Sequence, residues 1–301
     1  MALAAAPPRA RGELSGHIAL IGVQLCFGLF PYFGKLAFAD FSPRAVAAWR
    51  MTVAAAVFVA IAIAVHGRQM IPERRDFVRL LICSILGVAA NQVLYLEGLE
   101  RSTSVNSGLM MLLIPVFTFT IAVLVRQESF SMWRGLGIAV ACAGTAQLVL
   151  QKEADNTQPY LFGNLLIAAN TLCYSVYLVM SKPLARRYPP LVLMAWVFLL
   201  SVWTTPIYAA GVDLAPADAS LSAWIALGLI LLFPTVLGYL LNMFALSHVP
   251  ASTTAVYVFG QPVIAGAAGV IYLGEPLHGS TLVAAAAIFL GIWLVVRPRR
   301  E

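Results

Sequence analysis

Long apolar runs separated by short polar breaks dominate the chain, and ten of them can be marked. They lie at about 15–38, 44–66, 77–98, 103–125, 132–150, 161–181, 191–211, 221–244, 252–273 and 279–297. The hydrocarbon core of a bilayer is about 30 Å thick, which about 20 apolar residues of α-helix cross. Each run is therefore predicted to be a spanning helix. A membrane β-barrel would need strands of about ten residues with period-two alternation; these runs are about twice as long and show none. The breaks carry turn or charge signals, such as Asp40 to Pro43, Arg68 to Asp76, Glu100 to Ser102, Lys152 to Pro159 and Asp213 to Ser220. The predicted fold class is an all-α integral membrane protein with ten transmembrane helices.

A second pattern divides the chain in two. Shifted by 147 residues, unusual residues meet their own kind: Cys26 and Cys173, Lys35 and Lys182, Pro43 and Pro190, Trp49 and Trp196, Pro115 and Pro262, Glu128 and Glu275, Gly144 and Gly291. Apolar coincidences are cheap between membrane helices; coincidences of Cys, Trp, Lys, Glu and mid-helix Pro at one offset are not. The predicted organisation is a tail at 1–14, a first repeat of five helices at 15–150, a linker at 151–160, a second repeat at 161–297 and a tail at 298–301. Five is odd, so the second copy enters the membrane from the opposite side. Secondary transporters use such inverted repeats, with the substrate site near the midplane between the halves.

Composition narrows the class. Of 301 residues 61% are hydrophobic and 11% charged, with mean hydropathy +0.87. So few charges cannot coat a soluble domain, which excludes an ordinary soluble enzyme, a disordered protein and a nucleic-acid binder. The net charge of +6 is mainly a topology signal. With the N-terminus in the cytoplasm, fourteen of the nineteen Lys and Arg fall on that side; Lys35, Arg44, Arg50, Arg101 and Lys152 fall on the other. Both termini are then cytoplasmic, in a bacterial inner membrane, and sixteen Arg against three Lys suit a GC-rich host. The first run is too long for a signal peptide and is expected to stay as a membrane helix. The four cysteines sit singly in apolar runs and read as packing residues, with no metal or disulfide role. The histidines His17, His66, His248 and His278 fall at span ends, away from any carboxylate cluster, which argues against an intramembrane enzyme. There is no phosphate-binding G-x-x-x-x-G-K-[ST] motif, so ATP is not the direct energy source.

Each half resembles one EamA domain of the drug/metabolite transporter superfamily. The residues that carry the resemblance run from Leu99 through Ser102 and Asn106 to Gly108, then Pro115, Glu128 and Gly144; in the second half they run from Leu246 through Pro250 to Thr254, then Pro262, Glu275 and Gly291. Arg50 looks like the second-helix arginine of many members, and Val197 stands where it would repeat. The resemblance covers about residues 16–297. It implies a transporter whose third, fourth, eighth and ninth helices line the cavity. It does not fix the substrate, since members include amino-acid and metabolite exporters, drug exporters and uptake carriers.

Polar groups at membrane depth are costly and need a reason, either a cavity or helix–helix hydrogen bonding. The cavity candidates are Gln24 and Tyr32 on the first helix, Asn91 and Tyr95 on the third, Asn106 on the fourth, Tyr174 and Tyr177 on the sixth, Tyr239 and Asn242 on the eighth, and Thr253, Tyr257 and Gln261 on the ninth. Arg50 lies about six residues, or about 9 Å, into the second helix. It either pairs with Glu97 near the end of the third helix, as a gate or a carboxylate site, or snorkels to the interface. Repeat symmetry similarly offers Lys35 with Glu275 outside and Lys182 with Glu128 inside, as alternating gates or as helix-end charges anchored in headgroups. Pro115 and Pro262 should kink their helices. Small residues at Gly137, Gly144, Ala287 and Gly291 suit close helix packing or a dimer seam, so a monomer and a homodimer are both open.

The leading reading is a secondary exporter of small polar metabolites such as amino acids, with the lipid bilayer and a small-molecule substrate as partners and no cofactor. Proton coupling is an option, although Glu97 is the nearest acid to the midplane. Importers and facilitators of a vitamin, a nucleotide-like compound or another metabolite remain as alternatives.

Overall fold

The computed structural model of the chain describes residues 8–126, 132–149, 160–246, 248–249 and 257–296. Glu128, Lys152, Thr253 and Thr254, all named above, lie outside them. Among the described residues the protein is all-helical. Six helices among the described residues are long and apolar enough to cross a membrane: α1 (Leu14–Ala37), α2 (Pro43–His66), α3 (Arg74–Glu100), α4 (Ser104–Leu124), α6 (Leu161–Ala185) and α8 (Leu221–Ala245). Between and after them lie α5 (Met132–Val149), α7 (Pro190–Val202), α9 (Gly260–Leu273) and α10 (Gly279–Val296), whose apolar stretches are shorter.

Local chemistry sets the ends. α2 starts where Ser42 accepts a bond from the Ala45 N–H and Pro43 takes the first helical position. Thr103 caps α4 and Ser220 caps α8 in the same way. Gly274, left-handed at φ +64°, ends α9.

Several helices are less regular than their apolar pattern predicts. α1 bends at Leu29, just before Pro31. α4 is interrupted at Leu112, three residues before Pro115, and α9 begins after a turn at Val258–Phe259, three residues before Pro262. A proline in a helix deprives the carbonyl four residues earlier of its partner, and the chain turns there. Two helices carry π-helical segments, Ile85–Ala89 in α3 and Leu231–Leu237 in α8. The run expected over 191–211 gives a helix only to Val202, followed by a turn and the short helix Thr205–Tyr208. Pro206 and the hydroxyls of Ser201 and Thr204, which bond back to the Phe198 and Ser201 carbonyls, break its regularity.

The helices pack in pairs: α2 on α7, α3 on α6, α1 on α8, α4 on both α6 and α9, and α5 along α10. The last pair is a seam of small residues. A Cβ on Gly291 would lie 2.5 Å from the Gly137 carbonyl oxygen and the Ala141 nitrogen, and one on Gly144 would lie 2.8 Å from the Ala284 carbonyl. Within the chain these residues make close helix packing.

Candidate functional site

The middle of the bundle is organised around Arg50. Its backbone sits two turns into α2, and its side chain is only 2% exposed. Nε donates to Thr235 Oγ1 at 2.9 Å, and that hydroxyl donates in turn to the Ile230 carbonyl, five residues back and just before the π-helical segment of α8. The guanidinium carbon lies 3.9 Å from the centre of the Phe30 ring, which stacks on Tyr95 at 5.2 Å. Nη1 is buried with no hydrogen-bond partner among the described residues.

Aromatic rings close the surroundings. Tyr239 on α8 meets Phe27 of α1, Phe58 of α2 and Phe198 of α7 edge-on, at 5.5, 6.0 and 5.6 Å. Tyr174 and Tyr177 of α6 pack together at 5.5 Å, and the Tyr177 ring covers Gly87 in the π-helical segment of α3. Tyr174, Tyr177 and Tyr239 are each half-buried although they lie deep among the helices. Two buried amides lack partners among the described residues: the whole head of Gln24, and Asn170 Oδ1, whose Nδ2 donates to the Asn91 carbonyl at 2.6 Å.

The other candidates distribute as follows. Asn242 and Gln261 are half-buried on α8 and α9, and Asn106 is buried, its N–H held by the Thr103 cap. Tyr32 turns to Phe33 and to exposed Tyr272 on α9, away from Arg50. The Tyr257 hydroxyl bonds His17 Nδ1 at 2.9 Å, near the start of α1. Neither Tyr32 nor Tyr257 joins the Arg50 cluster. Phe27, Phe30, Thr235 and Gly87 do, and sequence reasoning missed them. The aromatic and hydroxyl types gave no signal among so many apolar neighbours; Gly87 did, because Pro234 stands at its repeat-equivalent position.

Two charge pairings expected from the sequence are replaced, and the third, Lys182 with Glu128, falls outside the described residues. Glu97 does not meet Arg50. Its carboxylate takes Arg44 Nε at 2.9 Å and Arg101 Nη1 at 2.6 Å, because it sits within one turn of the end of α3, level with Arg44 at the start of α2. Arg50 does not snorkel either; it is buried. Lys35 and Glu275 attract electrostatically without forming an ion pair. The Glu275 carboxylate instead accepts the Ser104 and Val105 N–H groups at 2.8 and 3.2 Å, where the free donors and dipole of the α4 N-terminus favour an anion. Lys35 donates to the Glu100 and Ser102 carbonyls, the matching acceptors at the end of α3. Lys182 is exposed at the end of α6.

Polar links also tie the connecting loops across the bundle. Trp49 of α2 donates to the Leu214 carbonyl at 2.8 Å, and Trp196 of α7 donates to the Met70 carbonyl at 2.6 Å. Buried Asp76 accepts both Arg187 Nη1 and the Tyr188 hydroxyl. Asp40, in the loop before α2, accepts the hydroxyl and the N–H of Ser220, which hold its carboxyl below the usual carboxylate range. A depressed folded-state value stabilises fully above the unfolded pKa of about 3.9 and loses its effect as pH falls through the folded value. Asp40→Asn is therefore expected to melt below the wild type by a constant margin from neutral pH down to about pH 4, with the margin closing below that. Melting curves across pH check this; a margin unchanged in acid would show that Asp40 acts by something other than its charge.

Among known proteins, the chain matches the EamA-like transporter family over residues 14–150 and 161–297. It is 24% identical over 284 residues to the uncharacterized transporter YyaM of Bacillus subtilis, covering 93% of each chain. It is 27% identical over 254 residues to a probable terminal-alkyne amino-acid exporter of Streptantibioticus cattleyicolor, covering 82% of each. A solved crystal structure shares its fold with a TM-score of 0.63 at 19% identity, over 95% of this chain and 96% of that one.

Proposed function

The chain belongs to the EamA-like transporter family, and from that premise we propose that it is a secondary exporter of small polar metabolites of the amino-acid class, working by alternating access. In this reading ten helices form two inverted repeats of five, residues 15–150 and 161–297, around a midplane cavity, with both termini in the cytoplasm of a bacterial inner membrane.

The irregularities of the helices support the repeat. At the offset of 147, the π-helical segment starting at Ile85 falls on the one in α8, the break at Leu112 on the turn at Phe259, and the Trp49 contact on that of Trp196. The packing pairs obey the same exchange: α3 on α6 answers α8 on α1. Kinked helices 4 and 9 suit a protein whose halves rock about a fixed site.

The observation that carries the reading is the Arg50 centre: a buried cation from the first half, held by Thr235 of the second and bordered by Phe30 and Tyr95, at a depth where polar groups are costly. The relative named as an amino-acid exporter favours that solute class. The described residues place every carboxylate at a helix end or in a loop, which favours facilitated exchange over proton coupling as the second reading.

The expected result in proteoliposomes is counterflow of labelled amino acids above the level of empty vesicles, with a pH gradient separating coupled from uncoupled movement. Flux no greater than that of empty vesicles for every amino acid would remove the reading.

A further inference from the structure

Arg50 carries a charge that the fold does not neutralise. One donor is used by Thr235, one face of the guanidinium rests on Phe30, and Nη1 has no partner among the described residues. The carboxylates whose side chains are described lie elsewhere. Glu97 is held by Arg44 and Arg101, Glu275 by the start of α4, Asp76 by Arg187 and Tyr188, and Asp40 by Ser220. Glu73 and Glu100 pair with Arg75 and Arg101 at exposed helix ends, while Asp213 and Asp218 lie in an exposed loop. A hydroxyl and an aromatic face compensate only part of the cost of taking a guanidinium out of water. An intramembrane charge left in this state marks a ligand site.

We infer that Arg50 binds the carboxylate of the transported solute through its Nη1 edge, and that the solute is a monocarboxylate with an apolar or aromatic body. This rests on the transporter reading and names the end of the substrate that the site recognises. One buried cation neutralises one negative charge; a phosphate monoester or a dicarboxylate would leave excess negative charge among Phe30, Tyr95 and Tyr239. Guanidinium and carboxylate match in charge and geometry. The rings around them supply apolar contact for the body of the solute and, for a zwitterion, electron-rich faces for its ammonium group. The hydrogen bond from Nε to Thr235 fixes the guanidinium plane, so α8 of one half aims a residue of α2 in the other. Movement of the π-helical segment of α8 would then reach the bound anion directly.

The test uses purified full-length protein in nanodiscs and proteoliposomes, with the twenty amino acids, 3-phenylpropionate and the corresponding amides as probes. At least one carboxylate is expected to raise the melting temperature and be transported, and its amide to act about 30-fold more weakly or not at all. Arg50→Met should lose carboxylate binding by about 30-fold or more, while Arg50→Lys, which keeps the charge but not the fork, should fall between. Without probe, Arg50→Met should melt at or above the wild-type temperature, because a buried charge lacking a partner has been removed. A drop of about 5 °C or more in unliganded Arg50→Met would assign the arginine a structural role and overturn the inference. Amides moved as well as acids, or carboxylate flux surviving in Arg50→Met, would also overturn it and leave the transporter reading intact. No binding and no flux of any probe by the wild type would remove both.

Discussion

Replacing Gly163 with leucine is expected to destabilise the protein severely. Gly163 lies in the first turn of α6, where α3 ends against it. A Cβ built there meets the Arg101 carbonyl and lies 2.8 Å from the Gly98 carbonyl oxygen. Gly98 meets α6 just as closely, its own Cβ falling 2.8 Å from the Gly163 oxygen and 2.6 Å from the Ile167 side chain. The obstacles are backbone, which no rotamer change removes, so the two helices must separate. Separation would also strain the buried Ser102–Asn164 bond and the Asn170–Asn91 bond that join them. Overpacking of this kind costs about 1–3 kcal/mol or more, and each lost bond about 1 kcal/mol. Against a total stability of about 5–15 kcal/mol, that predicts a melting temperature lower by roughly 10 °C and a much reduced monodisperse peak in size-exclusion chromatography. Gly228→Leu is the control: nothing lies within 4 Å of its Cβ position, so it should melt like the wild type. The repeat-equivalent Gly16 meets Val249 Cγ1 at 2.8 Å and His248 Cβ at 3.0 Å, with no described backbone atom closer than 3.7 Å, so Gly16→Leu should do less damage. Equal behaviour of Gly163→Leu and Gly228→Leu would mean that the α3–α6 contact is not as tight as described.

The existence of the helices was legible because a bilayer leaves few alternatives: a run of about 20 apolar residues must close its own backbone hydrogen bonds. The offset of 147, on which the proposed repeat rests, stands out in the sequence because Trp, Cys and Pro are rare enough to mark position. The charge partners were not. At 1.5 Å per residue, Arg50 and Glu97 looked similar in depth, but six residues separate Arg44 from Arg50, and Glu97 is level with the former. Hydropathy counts depth only to a turn or two, and less than two turns decide which arginine a carboxylate meets. Glu275 illustrates another limit. A lysine is an obvious partner on paper, whereas the free N–H groups of Ser104 and Val105 become donors only once α4 starts beside it.

The candidate site divides along the same line. Tyr95, Tyr174, Tyr177 and Tyr239 could be read as wall residues because tyrosines at membrane depth need a polar outlet. Tyr32 and Tyr257 share that chemistry, but exposed Tyr272 meets the one and His17, near the start of α1, the other. The link that makes Arg50 a centre, its bond to Thr235, joins residues 185 apart and depends on the π-helical turn that swings the Thr235 hydroxyl toward it. No sequence period announces such a turn.

The glycine at the matching turn of α3 gives a test of that geometry. Gly87→Ala is expected to reduce transport to below about a tenth while lowering stability by about 1–3 kcal/mol. The added methyl would fall 2.5 Å from the Tyr177 ring, which Tyr174 flanks on the same helix. The ring cannot slide back into α6, so it turns toward the space shared with Tyr239 and Arg50. Tyr177→Ala alone should cost stability by leaving a cavity and weaken transport by removing a wall. The double variant should then be better than the sum of the two losses, with a coupling of about 1–2 kcal/mol in melting experiments and a partial return of flux. Leucine at position 177 is a useful third arm, since it fills space without a flat ring and should relieve the methyl only in part. Strict additivity of Gly87→Ala and Tyr177→Ala would mean that the glycine serves the π-helical turn itself rather than the ring. Rescue of stability without rescue of flux would assign the Tyr177 ring a direct part in transport beyond filling the space over Gly87.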